Sequence, residues 1–457
     1  MTEQQIAELR SIVGPENVLT GKADLLCYGY DASIIEHLPE AVVYPHSVEE
    51  ISQVMQFANR EVVPVTPRGA GSGLSGGSVP TEGGLVVVVT DMNRIKEVNT
   101  DDLYLVCEPG AITLDVDNAV KPFGLMYPPD PASNATSTIA GNIAEDAGGL
   151  RALKYGVTHD YVLELEIVMP TGEIVRCGSR AVKSVSGYNL QQLMVGSEGT
   201  LGIITEASLD LLPLPKHTES MLAVFETTEA AGEAVAAIIK AGIIPCTLEL
   251  LDNATIKAIE SFESCGLPPD AGAVLLIEAD GVKEAAVQEA TEIIGVCKNS
   301  GAREVHKAET AAERDALWAG RRTAFSALAN LRPTVILEDA TVRRSRITAM
   351  LHAVEEIAKK HNVQVGTFGH AGDGNLHPTF LTDIRDKEEF ARVEAAIDEL
   401  FEVAMKLEGT ISGEHGIGVM KKKYLPMEFS PATLATFRHL RQALDPKGIM
   451  NPGKLID

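Results

Sequence analysis

The sequence predicts an α+β protein in two parts, the second organised around an antiparallel sheet, and three observations carry that expectation. A chain of 457 residues exceeds what one hydrophobic core ordinarily organises. Short β-rich runs alternate with amphipathic helical stretches through the first 180 residues or so. Beyond a stiff Pro-rich stretch near 210–218 a fresh strand and helix pattern begins.

The elements follow in order. MTEQQIAELR opens as a polar helix, without the basic region and apolar core of a signal peptide. Residues 41–44 read as a strand, 47–60 as a helix and 62–66 as a second strand. In the helix, Val48, Ile51, Val54, Met55 and Ala58 share one side, and Ser47 ahead of two glutamates suits its N-terminus. Further strands are expected at 85–90, 103–108, 162–169 and 173–177, the last two joined by a turn at Met169-Pro170-Thr171-Gly172. The second part starts with a strand at 219–226, a helix at 228–241 and strands at 245–250 and 273–278, then a helix at 281–297. A helix at 388–407 delivers the chain into GTISGEHGIG, whose glycines stop it.

Composition narrows the function. Hydrophobic residues make up 45% and charged residues 23%, which is ordinary soluble usage and argues against global disorder. The net charge of −25 repels a nucleic-acid backbone, so nucleic acid is excluded as the expected partner. A small carboxylate substrate would need local positive charge from arginine or a bound cation. The run LVVVVT at 85–90 is too short to cross a bilayer, and a cytoplasmic protein is expected, with any membrane contact made through a partner. Cys27, Cys107, Cys177, Cys246, Cys265 and Cys297 form no CxxC pair, which argues against a built-in iron–sulfur cluster and a dense disulfide scaffold.

Three clusters of glycine and small residues stand out. PRGAGSGLSGG at 67–77 permits close backbone approach and can aim successive amides at an anion such as a pyrophosphate; the bland reading is a tight surface loop. It lacks the GK[ST] ending of a Walker loop and a clean GxGxxG. Arg68 is either a phosphate contact or a solvated loop charge. PPDPASNATSTIAGNIAEDAGG at 128–149 pairs the rigidity of Pro129 and Pro131 with small hydroxyls, and by itself also fits a structured Ω-loop. SGYNLQQLMVGSEGTLGIITE at 186–206 carries Gly196, Gly199 and Gly202 and leads into a strand. Three such surfaces fit an extended cofactor better than a single phosphate.

GHAGDGNLH at 369–377 sets His370 and His377 around a glycine-loosened return, at a spacing that suits a strand and loop rather than one helical face. They are either metal ligands or ordinary loop histidines. Asp373 serves as a further ligand or, more simply, shapes the loop. In ISGEHGIG, Glu414 and His415 are adjacent and need not point the same way, so one can close a metal sphere while the other reaches a substrate.

With these motifs in place, the chain resembles the vanillyl-alcohol-oxidase-type FAD-linked oxidoreductase family, in the branch of bacterial glycolate oxidase large subunits and D-lactate or D-2-hydroxyglutarate dehydrogenases. PRGAGSGLSGG, NLQQLMVGSEGTLGI, GHAGDGNLH, SGEHGIG and NPGK carry the resemblance over essentially the whole chain. It implies an α+β, two-subdomain FAD-binding fold with an antiparallel-sheet substrate cap: residues 1–215 binding FAD, 216–408 forming the cap, and 409–457 returning to the FAD domain. By the same comparison Arg68, Gly69, Ala70, Gly71, Ser72 and Gly73 line the pyrophosphate loop. Pro131, Ser137, Gly141, Gly196, Gly199, Gly202, Ile203 and Ile204 lie further along FAD, and Asn451 approaches from the C-terminal side. Some relatives attach FAD covalently through a histidine in the first loop; Ser72 occupies that neighbourhood here, so noncovalent FAD is expected.

The resemblance further implies His370, His377 and Glu414 as ligands of a divalent metal, zinc first and manganese or iron as alternatives, with His415 as catalytic base. Arg321 of LWAGRRTAF matches the family's substrate-carboxylate arginine, whereas Arg322 also fits an exposed helix charge. The expected reaction is oxidation of a small 2-hydroxy acid, glycolate or D-lactate, to the 2-oxo acid. Relatives selective for D-2-hydroxyglutarate carry an extra Thr and Lys beyond the arginine; here Phe325 and ILEDATVRR stand in that region, with Arg343 and Arg344 offering a different solution. The alternatives are a flavin oxidoreductase for a bulkier hydroxy acid and a noncatalytic flavin electron-transfer module. Electrons are expected to leave for a separate acceptor: an iron–sulfur subunit, an electron-transfer flavoprotein or a quinone-linked chain. A homo-oligomer is compatible with the sequence.

Overall fold

The computed structural model describes residues 1–456. The chain divides into two compact units, the first of residues Met1–Gly148, Val157–Leu214 and the chain from Glu414 onward, the second of Gly149–Gly156 and Pro215–Gly413.

The first unit holds two sheets. One has four strands in the order Val18–Leu19, Ala41–Val43, Leu85–Val88, Val65–Arg68, parallel except for the outermost pair. Its helix Val48–Glu61 starts where Ser47 Oγ accepts the Glu50 N–H at 3.2 Å, and it buries Ile51, Val54, Met55 and Ala58 against Val43, Val65, Leu85 and Val87. Val62 ends the helix in the left-handed region, so the next strand begins at Val65 rather than at 62. The other sheet is antiparallel, in the order Ile95–Asn99, Tyr104–Cys107, Ile203–Asp210, Val162–Val168, Ile174–Gly178. Its 169–172 turn closes through Gly172 N–H donating to the Met169 carbonyl at 2.8 Å. The C-terminal segment packs back on the first sheet: Val65 N–H donates to the Ile449 carbonyl, Asn451 N–H to the Val65 carbonyl, and Met450 joins the core.

In the second unit one antiparallel sheet runs Glu304–Lys307, His217–Phe225, Ala273–Gly281, Thr247–Asp252, Gln364–His370, Asn375–Thr382, Thr334–Leu337, with Ala340–Thr341 also paired to Asn375–Thr382. Helices Thr228–Lys240, Lys283–Asn299 and Lys387–Lys406 appear where periodicity predicts them. Asn253–Phe262, Ala311–Ala329, Ile347–His361 and, in the first unit, Pro431–Leu444 are helices that the sequence reading leaves unassigned. Ala311–Ala329 shows why: its buried face includes Gly320, Arg321, Ala324 and Ala327, small or charged residues that leave little apolar stripe.

No helix among the described residues is long and apolar enough to cross a membrane. All six cysteines are free thiols.

Candidate cofactor and metal sites

The three glycine-rich clusters, distant in sequence, meet within the first unit. Strand Val65–Arg68 feeds directly into the first cluster. A methyl group on Gly69 would lie 2.2 Å from Thr138 Oγ1 of the second cluster, and one on Gly199 of the third would lie 2.8 Å from Pro67 Cγ. Only glycine allows these approaches. The Gly196 and Glu198 amides donate to the carbonyls of Ile143 and Ala144 in the second cluster. Asn451 closes the set: its Nδ2 donates to the Gly77 carbonyl at 2.8 Å and to the Glu198 carbonyl at 2.7 Å.

Individual residues of these clusters play different parts. Thr138 caps helix Ile139–Glu145 by accepting the Gly141 N–H. Ser137 is buried with its Oγ 3.0 Å from Thr113 Oγ1, and Pro131, Gly202, Ile203 and Ile204 are buried as well. Ala70, Gly71, Ser72 and Gly73 stay on the accessible side, and a methyl on Gly73 would meet nothing within 4 Å. Arg68 turns inward: its Nη1 donates to the Tyr30 carbonyl at 2.8 Å, and its guanidinium fills the space where a Gly71 side chain would stand. It therefore braces the first loop from behind.

Around this junction three buried polar atoms lack a hydrogen-bond partner among the described residues: Ser75 Oγ, Glu145 Oε2 and Asn451 Oδ1. Buried polar atoms are seldom left this way, and an ordered water, an ion or a polar ligand is the ordinary explanation. A long cofactor with both phosphate and heterocyclic hydrogen-bonding groups fits that donor and acceptor set.

Glu198 links the third cluster to the GEHGIG turn by accepting the Ile417 and Gly418 N–H groups at 2.7 and 2.6 Å. Burial pushes both the Glu145 and Glu198 carboxyls up. The two backbone donors and nearby lysines oppose the rise at Glu198, so the rise is larger at Glu145. Both lie in motifs visible in the sequence, yet neither was assigned a role there.

In the second unit, Gln364–His370 and Asn375–Thr382 form a hairpin with Phe368 paired to His377 and His370 to Asn375. Gly374, at φ +92°, makes the return possible, since a methyl there would lie 2.0 Å from the Val342 carbonyl oxygen. Asp373 serves the turn by accepting the Asn375 N–H at 3.1 Å. The hairpin sets the His370 and His377 rings edge to face at 5.1 Å. Asp339 steadies the chain just before Glu414 by accepting from Ser412 Oγ and Gly413 N–H at 2.8 and 2.7 Å.

One ligand atom each from His370, His377 and Glu414 falls within 4.8 Å of the others. Ligands about 2.0–2.1 Å from a tetrahedral zinc stand roughly 3.4 Å apart, within about 1.4 Å of that limit. Two imidazoles and a carboxylate make a donor set suited to a borderline divalent cation.

Sequence reasoning missed Glu249. It is fully buried on strand Thr247–Asp252, one residue beyond the Leu250–Gly369 pair and therefore across from His370. Oε1 lies 2.6 Å from His370 Nδ1, and Oε2 accepts from Arg321 Nε at 2.6 Å. Burial alone would raise its carboxyl, but the neighbouring His370 and Arg321 bring it down to about 2. The only available signal was a charge set among leucines in a buried strand. Arg321 is itself buried, with Cζ 4.8 Å from the Phe368 ring centre, whereas Arg322 is exposed.

A glycine-built junction with orphaned polar atoms, in a chain that also carries a histidine–carboxylate cluster, is the framework of a cofactor-dependent enzyme. Comparison with known proteins agrees. Residues 39–178 match the FAD binding domain family and residues 214–455 the C-terminal domain of FAD linked oxidases. The chain is 49% identical over 457 residues to the glycolate oxidase subunit GlcD of Bacillus subtilis, covering 100% of this chain and 97% of the relative. It is 35% identical over 467 residues to D-lactate dehydrogenase of Anaerostipes hadrus, covering 100% and 98%. The solved structure of p-cresol methylhydroxylase with substrate bound superposes with a TM-score of 0.82 at 18% identity, over 99% of this chain and 96% of that one, a likeness of fold. The chain belongs to the FAD-linked oxidases of the vanillyl-alcohol-oxidase type, close to the bacterial GlcD and D-lactate dehydrogenase branch.

Proposed function

We propose that this protein is an FAD-dependent dehydrogenase that oxidises a small 2-hydroxy acid, glycolate or D-lactate, to the 2-oxo acid and passes the electrons to a separate acceptor. The observation that carries the reading is the convergence of His370, His377 and Glu414 within 4.8 Å, in a chain 49% identical to a glycolate oxidase subunit.

FAD, held noncovalently by the Arg68–Gly73 loop, the Pro131–Gly141 and Gly196–Ile204 segments and Asn451, supplies the acceptor for the substrate's C2 hydride. A zinc ion on His370, His377 and Glu414 supplies Lewis acidity toward the substrate carboxylate and 2-hydroxyl. The residues do the rest. Arg321 grips the carboxylate with its planar fork, which overcomes the repulsion of a chain carrying −25 charges. His415 takes the hydroxyl proton as the C2–H bond breaks, leaving the carbonyl.

A monocarboxylate is favoured over a dicarboxylate because the two spare arginines lie outside. Arg343 is exposed and paired with Glu408 at 2.7 Å, and Arg344 is exposed in a short 3₁₀ turn. The GlcD relatives are described as subunits, which supports a multi-subunit redox complex in which an iron–sulfur subunit or another carrier takes the electrons. We place the protein in the cytoplasm, at the membrane only through such a partner.

Rapid mixing of the purified flavoprotein with glycolate, D-lactate, L-lactate or D-2-hydroxyglutarate, followed at the flavin absorbance, tests this. Bleaching by glycolate or D-lactate is expected. No bleaching by any of the four would overturn the dehydrogenase reading, and fastest bleaching by D-2-hydroxyglutarate would overturn the substrate class.

A further inference from the structure

We propose that Glu249 is the positioning residue that ties the metal site to the substrate-binding arginine, so that one buried carboxylate sets the affinity for both ion and substrate. This role presupposes the metal-assisted reading of the site given above.

The geometry divides the carboxylate cleanly. Oε1 lies 2.6 Å from His370 Nδ1 and Oε2 lies 2.6 Å from Arg321 Nε, and Glu249 itself is outside the three-residue ligand cluster. A histidine that coordinates through one ring nitrogen needs the other defined. With Nδ1–H donating to Glu249, coordination falls to Nε2, and the adjoining carboxylate makes that nitrogen a stronger ligand. The arginine is oriented by the same logic. Its Nε–H is spent on Glu249 and its plane is held by Phe368, with Cζ 4.8 Å from the ring centre. The fork that remains for a substrate carboxylate is the pair of terminal amino groups.

Stability alone is a weak reason for this arrangement, since buried ion pairs are commonly no better than apolar packing of the same volume. Glu249 reaches partners 121 and 72 residues away in sequence, and both are residues of the proposed site. Two separate donors each need an acceptor, and a carboxylate supplies two anionic oxygens where an amide supplies one neutral oxygen. A Glu249→Gln side chain therefore weakens both contacts, because it sets a neutral oxygen against one donor and an N–H against the other.

The test compares wild type with Glu249→Gln. Zinc affinity is measured by competition with a chromophoric chelator in the absence of substrate, and KM for the better of glycolate and D-lactate is measured at saturating zinc. The expected result is a zinc Kd raised ~10–100-fold and a KM raised about tenfold or more, with flavin content unchanged. Wild-type zinc affinity in the variant overturns the inference. So does weakened zinc binding with an unchanged KM, because the arginine would then be oriented by something else. A wild-type protein that binds no zinc fails earlier, before any variant is compared, and takes the metal-assisted reading down with it. If Glu249→Gln does not fold, ¹⁵N spectra of histidine-labelled wild type with zinc decide the matter: His370 protonated at Nδ1 and coordinated through Nε2 is expected, and the reverse assignment overturns it.

Discussion

His415 and Glu414 are neighbours in the chain, yet the proposed chemistry gives them different work, and that separation can be measured. A His415→Gln variant removes the base but leaves His370, His377 and Glu414 in place. Flavin reduction by substrate is expected to slow ~10²–10⁴-fold while zinc and FAD contents stay at wild-type levels. Reduction at the wild-type rate would show that another group takes the proton. At this scale the sequence was informative about residue types with few ordinary uses: two histidines around a glycine return, a Glu-His pair and a double arginine. The family resemblance also singled out Arg321 and left Arg322 as a candidate exposed helix charge, and helix Ala311–Ala329 buries the first and exposes the second. Glu249 was invisible because its meaning lies in two partners that the chain brings from 121 and 72 positions away.

The hairpin Gln364–His370 with Asn375–Thr382 is the element on which the metal ligands depend, and its turn tolerates little change. Gly374 combines φ +92° with a methyl-to-carbonyl approach of 2.0 Å at Val342. Replacing it with alanine should destabilise the fold by ~1–3 kcal/mol through strain and weaken zinc binding as the two histidines separate. Urea unfolding checks the first effect and chelator competition the second. A variant that matches wild type in both would show that the turn relaxes freely. Elements with a single clear period, such as Val48–Glu61 and Lys387–Lys406, were legible, because one apolar stripe faces one core. Ala311–Ala329 was not, because its inward face mixes Trp318 and Leu328 with a charged site residue and small side chains.

Across the whole chain, net charge and deep burial give stability a pH dependence that Lys454 isolates. This side chain is fully buried, with Nζ donating to Thr81 Oγ1 at 3.1 Å and to the Pro452 carbonyl at 3.3 Å. Burial pulls its ammonium from 10.5 down to about 8. Below pH 8 the folded and unfolded chains both carry the proton; between 8 and 10.5 only the unfolded chain does, so raising pH favours folding at this residue. Relative to Lys454→Met, wild type should gain up to about 3 kcal/mol across that window. Parallel denaturation curves at pH 7.5 and 10 would show it, and an identical pH response in the two proteins would rule it out. The division of the chain has the same whole-molecule character. Gly149–Gly156 clusters with the second unit although the residues on either side belong to the first, and no local pattern marks the excursion.

The sequence by itself determined the chemistry on offer. Its glycine spacing is compatible with a long cofactor and its histidines and Glu414 with a divalent ion, because side-chain type and local backbone freedom are properties of short stretches. Tertiary structure decided which of these groups act together. Thr138 lies against Gly69, Pro67 against Gly199, and Asn451 ties the first and third clusters, although hundreds of residues separate some of them. It also set Arg68 against the Tyr30 carbonyl and Glu249 between His370 and Arg321. Hydrogen bonds and close packing depend on distances of a few ångströms, and for partners remote in sequence those distances exist only once the sheets have formed.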